Sequence, residues 1–280
     1  MAFGLIIIGD EILSGKRHDK HLARSIEQLA SRGLQLGWAE YIGDDPARIT
    51  ATLKRTMESD DIVFSFGGIG ATPDDHTRQC AAAALGVQVQ LHPEAKARIE
   101  ERIRDVAREA GRDPQLDAPE NQHRLKMGEF PVGAAIIPNP YNKIPGFSIP
   151  NRGQGAHYFV PGFPVMAAPM VEWVLDTVYP HLFHQVARSE KSVFVYESME
   201  STLTPLMETV EATFPLVRVF SLPSVGDGNT RRHIELGVKG DPAQVEAAYA
   251  ALTSGLDKLG AEYRPVQVQG NGKVTQISKP

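Results

Sequence analysis

The stretch SFGGIGATPDDHT, Ser65 to Thr77, places three glycines, two adjacent carboxylates and two threonines between an apolar run, Ile62–Phe66, and the alanine run QCAAAALG. Apolar residues closing on glycines and then a helix-forming segment describe a buried strand that turns into a helix. The same grammar continues outward in both directions. Leu5–Ile8 is a short apolar run closed by Gly9. Leu22, Ile26, Leu29 and Ala30 fall on one helical face, and Gly33 is placed to end that helix. A second strand is expected over Leu36–Ile42. In GDDPARITATLKRTM, Asp45 reads as an N-cap, Pro46 as the first helical residue, and Ile49, Leu53 and Met57 as a stripe at spacing four. The helix through Cys80–Leu85 ends at Gly86, and an alternating strand follows over Val87–Leu91. This β-α-β-α-β-α-β rhythm predicts a three-layer α/β/α domain, doubly wound around a mostly parallel sheet.

His92–Gly111 reads as a charged surface helix, and Asp113–Pro131 as a loop folding back over the domain. Short strands are expected at Ala134–Ile137 and His157–Val160, separated by NPYNKIPGF and followed by PGFP. A last helix carries Met166, Met170, Val174 and Val178 and closes the first domain, 1–184. After a polar connection the pattern restarts over 190–270. Strands are expected at Ser192–Tyr196, Leu216–Ser221, Arg232–Val238 and Glu262–Val268, with helices at Ser201–Phe214 and Asp241–Gly260. A hairpin turn is expected at Gly226–Asn229. β-α-β-β-α-β is the split plan of small α+β, ferredoxin-like modules. The tail 271–280 is polar.

At 280 residues, 42% hydrophobic and 22% charged, the composition is that of a globular protein. A net charge of −5 and a pI near 6.0 argue against nucleic acid as the main partner and leave room for a small anionic ligand. The single cysteine, Cys80, suits a reducing cytoplasm. The start MAFGLIIIGDEIL lacks a basic region and is interrupted by Asp10 and Glu11, so it reads as a core strand and not a signal peptide. No apolar run approaches the roughly 20 residues of a membrane helix.

Ligands of open parallel sheets bind beyond the carboxyl ends of the strands. Two loops lie there. In GGIGATPDDHT, the glycines Gly67, Gly68 and Gly70 let backbone N–H groups approach a phosphate, and the hydroxyls of Thr72 and Thr77 add donors. Asp74 and Asp75 beside a phosphate point to a bridging divalent cation or to a base that orients water; alternatively, one of them simply caps the following helix. In GDEILSG, Gly9 and Ser14 join the ligand set, and Asp10 and Glu11 interrupt an apolar strand end. Asp44, ending the second strand, points to the same edge. Arg124, Lys126 and Lys143 are weaker phosphate candidates, and His18 with His21 lacks the partners of a zinc site.

GDEILSG, the strand-ending Asp44, GGIGATPDDHT, NPYNKIPGF and PGFP, in this order, resemble the MoaB/MogA-type molybdopterin-binding domain, over about residues 3–183. The trailing module is similar to the small KH-like α+β domain of the CinA branch. The resemblance implies a pterin or nucleotide phosphate at the glycine loop, with Asn139, Gly146 and Gly162 shaping the far wall. It places Asp44 and Asp75 in the active site with Mg²⁺; together with the reading of the acidic loops, Asp74 is expected to join them, and Asp74, Asp75, Asp10 and Glu11 to hold a divalent metal (Mg²⁺, Mn²⁺ or Co²⁺). The activities it implies are hydrolysis of a nucleotide pyrophosphate such as ADP-ribose or FAD, adenylylation of molybdopterin, or ligand carriage without catalysis. Ala71 stands where the family has proline, and Asn142 with Lys143–Ile144 replaces its small residues. The chain stops before the amidohydrolase domain of longer CinA proteins, so deamidase activity is expected to be absent. A homo-oligomer, dimer or trimer, is expected from the second module.

Overall fold

The computed structural model describes residues 1–185, 189–226 and 230–266, and the chain divides into two compact units, Met1–Gln185 and Val186–Pro280. The first unit opens with β1 (Phe3–Ile8), α1 (Asp10–Leu13), α2 (His21–Ala30), β2 (Leu36–Ile42), α3 (Pro46–Met57), β3 (Ile62–Phe66) and α4 (Thr77–Leu85). It continues with β4 (Val89–Leu91), α5 (Pro93–Glu109), α6 (Pro119–Leu125), β5 (Glu129–Pro131), β6 (Ala135–Ile137), β7 (Gly146–Pro150), β8 (Ala156–Val160) and α7 (Pro164–Val178). The main sheet runs β2-β1-β3-β8-β7-β6. Its first four strands are parallel, and β7 runs antiparallel between β8 and β6.

The period of two along β1 shows why the sheet is covered on both faces. Leu5 and Ile7 pack with Leu29 of α2 and Val171 and Leu175 of α7. Ile6 and Ile8 pack on the other side with Ile49, Leu53 and Met57 of α3 and Ala81 of α4. Every residue of β1 and β3 is buried, as the uninterrupted apolar runs require. Asp45 caps α3 by accepting from the Arg48 N–H at 2.7 Å, with Pro46 in the first turn.

Four expectations change. The strand read at Val87–Leu91 is reduced to β4 and leaves the main sheet to pair antiparallel with β5; β8 takes the fourth parallel place beside β3. The segment Asp113–Pro131 is not only loop: it holds α6 and β5. Ile26 is 46% exposed, because α2 is buried through His21, Ser25, Gln28 and Leu29, and Gln28 donates its amide to the Ala168 carbonyl at 2.8 Å. Val178 and Leu259 are also exposed, each lying at or just past the end of its helix, where the buried stripe has run out.

The second unit comprises β9 (Ser189–Tyr196), α8 (Glu200–Thr213), β10 (Val217–Ser224), β11 (His233–Gly240), α9 (Pro242–Lys258) and β12 (Tyr263–Pro265). The sheet order β10-β11-β9-β12, with all three pairings antiparallel, is the ferredoxin-like arrangement. Val245, Ala248, Leu252 and Leu256 of α9 pack on Val193, Val195 and Leu236 of the sheet. Most of the expected turn at Gly226–Asn229, the end of the strand expected to reach Val268, and the 271–280 tail lie outside the described residues. No helix among the described residues is long and apolar enough to cross a membrane.

His157 on β8 is fully buried. Asn151 donates its amide to the carbonyls of Ser59 and Asp61, which leaves its Oδ1 to accept from His157 Nδ1 at 2.7 Å. The other ring nitrogen, Nε2, lies 2.9 Å from the Thr56 hydroxyl. Burial pushes its pKa from 6.5 down to about 3. The unfolded chain then takes up a proton that the folded chain refuses, so His157 stabilises the fold above pH 6.5 and this contribution drains away as the pH falls toward 3. The expected loss is about 1.4 kcal/mol per pH unit within that window. Urea unfolding midpoints between pH 7 and pH 5 should fall more steeply for the wild type than for His157→Gln.

Candidate functional site

The strand ends of β1, β2, β3 and β8 open into a cavity of about 520 Å³. Its floor is the loop after β3, and the glycines there are structural necessities. Gly67 has φ +97°, and a Cβ on it would lie 2.4 Å from the Ile8 carbonyl. Gly68 has φ +67°, and its Cβ would lie 2.1 Å from Thr77 Oγ1. Side-chain-bearing residues cannot hold this path.

The loop is fixed through its carbonyls. Thr77 Oγ1 donates to the Gly67 carbonyl at 3.1 Å, the Thr77 N–H to the Gly68 carbonyl at 3.0 Å, and Arg78 Nη2 to the Gly70 carbonyl at 2.5 Å. In a trans peptide the C=O and the following N–H point in opposite directions. Tying these carbonyls to the start of α4 therefore turns the N–H groups of Gly68, Ile69 and Ala71 away from the helix, on the side where these residues line the cavity. Among the described residues none accepts from these N–H groups or from that of Gly70. Adjacent amides directed to one side form an anion-binding concavity. The N–H of Gly67 is not part of it, since it donates to Val160 at 3.1 Å.

Asp75 does not cap the helix. Its Oδ2 accepts from the Thr72 N–H at 2.8 Å and from the Thr72 hydroxyl at 2.5 Å, closing the loop on itself. The helix N-cap is His76, without a side-chain bond. Asp74 is exposed, and its carboxyl is held below the ordinary value first by the nearby Thr72 hydroxyl.

Across the cavity, the loops after β1 and β2 are cross-tied. The Asp10 N–H donates to Asp44 Oδ2 at 2.9 Å, and the Asp44 N–H to Asp10 Oδ1 at 3.3 Å. Burial pushes the Asp44 carboxyl above its usual value, and the charges of Asp10, Glu11 and Asp74 push the same way, against the Asp10 N–H bond that lowers it. Glu11, Asp44, Asp74 and Asp75 all line the cavity. No group of three or more acidic, His or Cys side chains among the described residues is assembled to hold a metal. Mg²⁺ asks for less, one or two carboxylates with water and ligand oxygens completing its shell, and Glu11 and Asp74 are carboxylates on the cavity lining.

Of the other expected residues, Gly9, Asn139 and Gly162 line the cavity. Asn139 shapes its wall by donating to the Ile144 carbonyl and accepting from the Tyr141 N–H. The rest do not line it. The Thr77 side chain is buried and spent on Gly67. Gly146 is where β7 crosses close to β8, a Cβ there meeting the Phe159 carbonyl at 2.3 Å. Ser14 is exposed at the end of α1, and Asp10 is spent on the cross-tie. Lys143, at φ 65°, gives its ammonium to Glu101 and Asp105 at 2.6 Å each, and Arg124 donates to Asn121; neither lines the cavity.

Three contributors escape the sequence patterns. Arg17 is the only Lys or Arg on the cavity lining among the described residues. His21 stacks against Phe66 with centroids 4.4 Å apart, donates Nε2–H to the Gly162 carbonyl at 3.2 Å, and is kept neutral by burial. Its position is set by Asp19, whose carboxylate accepts the N–H groups of His21 and Leu22. Met127, Ile144, Pro145, Phe163 and Met166 form an apolar part of the lining. Asp19 two residues before His21 was the available signal; Arg17 had none.

Comparison with known proteins matches residues 4–184 to the model of a probable molybdopterin binding domain. A CinA-like protein of Anaeromyxobacter sp. strain Fw109-5 is 33% identical over 179 residues, 64% of this chain and 41% of that protein. A second, from Anaeromyxobacter dehalogenans strain 2CP-1, is 32% identical over 211 residues, 74% of this chain and 49% of that protein. The chain thus spans about half or less of the length of these curated relatives. A crystal structure of the protein CinA from Thermoplasma acidophilum matches with a TM-score of 0.52 at 26% identity, covering 62% of this chain and 96% of that one. With a matched span of that length, containing the glycine loop and both acidic strand ends, this chain belongs to the molybdopterin-binding-domain family.

Proposed function

We propose that the chain binds the phosphate of a nucleotide or pterin and hydrolyses a nucleotide pyrophosphate of the ADP-ribose or FAD class, releasing AMP. The observation that carries this reading is the set of unpartnered N–H groups at Gly68, Ile69 and Ala71, facing a cavity rimmed by Asp44 and partly lined by apolar side chains. Phosphate oxygens take the amides, with Arg17 alongside. A planar ring takes the apolar surface of Met127, Ile144, Pro145, Phe163 and Met166, consistent with the mostly apolar linings of small-molecule sites.

Glu11 and Asp74 would hold a divalent cation together with the ligand. Such a cation neutralises charge on the phosphate oxygens when bound. Asp44, whose carboxyl is raised by burial and like charge, is suited to act as general base. A water oxygen forms a bond to one phosphorus and the bridging P–O bond breaks. The electron pair departs with the leaving phosphate, and the water's proton passes to the Asp44 carboxylate and then to solvent.

The test is incubation of the chain with ADP-ribose, with FAD, and with ATP plus molybdopterin, each with Mg²⁺, Mn²⁺ or Co²⁺, followed by chromatography for AMP. Metal-dependent AMP release from ADP-ribose or FAD is the expected result. Transfer of AMP to the pterin would replace hydrolysis by adenylylation. Tight binding without turnover would leave a carrier.

A further inference from the structure

Arg78, the second residue of α4, is 3% exposed and does not line the cavity. Of its guanidinium donors, Nη2 binds the Gly70 carbonyl, while Nε and Nη1 have no partner among the described residues. Asp75 and Glu129 are near enough to favour its charge but make no ion pair with it, and burial outweighs them. A buried guanidinium with one hydrogen bond is an unfavourable way to stabilise a fold, and apolar replacements of such groups are often neutral or stabilising. The single bond it does make falls on the peptide that orients Ala71.

We propose that Arg78 is a positioning residue of the anion site: by holding the Gly70 carbonyl from behind the loop, it turns the Ala71 N–H toward a bound phosphate. This rests on the reading that the loop binds phosphate. The division of labour is specific. Thr77 fixes the 67–68 and 68–69 peptides; Arg78 fixes only the 70–71 peptide. The next carbonyl, that of Ala71, is held separately by His123 Nε2 at 2.8 Å. Gly70 itself has no room for a side chain, because a Cβ would lie 2.4 Å from Asp75 Oδ2.

The experiment is a titration of the ¹⁵N-labelled full chain with inorganic pyrophosphate, following amide shifts. In the wild type, Gly68, Ile69 and Ala71 are expected to respond together. In Arg78→Met the Gly68 and Ile69 responses persist, the Ala71 response disappears, and affinity falls on the order of 10- to 100-fold, as for loss of a hydrogen bond to a charged group. The melting temperature is expected not to fall. Arg78→Lys, which keeps the charge and one donor, restores part of the Ala71 response and guards against a Met variant that does not fold. An Ala71 response in Arg78→Met equal to the wild type overturns the proposal, as does uniform loss of all three responses with a lowered melting temperature. If the wild-type amides do not respond at all, it is the phosphate reading itself that has failed.

Discussion

Gly68→Ala is expected to weaken binding of a nucleotide phosphate on the order of 10- to 100-fold, since one of the loop's charge-assisted hydrogen bonds depends on it. The added Cβ would stand 2.1 Å from Thr77 Oγ1, so the threonine must rotate and release the Gly67 carbonyl. The 67–68 peptide is then free to turn, and the Gly68 N–H no longer faces the ligand. Stability falls too: a non-glycine residue at φ +67° costs about 1–2 kcal/mol, and the broken Thr77 bond adds about 1 kcal/mol. Gly86→Ala separates the two effects. Gly86 caps α4 at φ +74° with nothing within 4 Å of a Cβ, so alanine there carries the backbone strain alone and should leave binding intact. Calorimetric titration and thermal melts of the two variants decide it; wild-type affinity in Gly68→Ala would contradict the role given to the loop.

The second large effect has opposite signs on binding and turnover. Asp44→Asn keeps an oxygen to accept from the Asp10 N–H but removes a charge from beside Asp10, Glu11 and Asp74. Without metal, binding of pyrophosphate should tighten a few-fold, because one repulsive charge is gone. Metal-dependent AMP release should fall on the order of 100- to 10,000-fold, the usual worth of a general base. The pH dependence follows from the raised carboxyl. Above the unfolded-state pKa the folded chain resists ionisation, so Asp44 takes stability away as pH rises through the window up to its folded value. Asp44→Asn should remove that decline and melt slightly higher at neutral pH. Equal losses of binding and turnover would mean that Asp44 is only a scaffold for the loop.

Much of the fold was legible because its signals are local. β1 and β3 are buried on both faces and read as unbroken apolar runs; Asp45 and Pro46 start α3 where the sequence puts them. The fourth parallel strand was not legible. Val87–Leu91 alternates as a strand should, but which partner it takes is a tertiary matter, settled by β5. The glycine loop was recognisable from composition, whereas the uses of its hydroxyls and carboxylates were not. A threonine in the first turn of a helix donates equally well to a ligand or to a loop carbonyl, and Thr77 does the latter. Asp75 next to Asp74 suggested a metal pair; its bond back to Thr72, which closes a turn, was not legible. Arg78 carries no signal in the sequence; only its burial and its unpartnered nitrogens single it out.

The most direct measurement is a crystal structure of the chain soaked with pyrophosphate and Mn²⁺, with the metal located by its anomalous signal. The account predicts phosphate oxygens within hydrogen-bonding distance of the N–H groups of Gly68, Ile69 and Ala71, the Thr77 and Arg78 bonds to the loop carbonyls intact, and manganese between the phosphate and the Glu11–Asp74 side of the rim. Phosphate bound elsewhere, with those amides turned to solvent or to the protein's own oxygens, would contradict it.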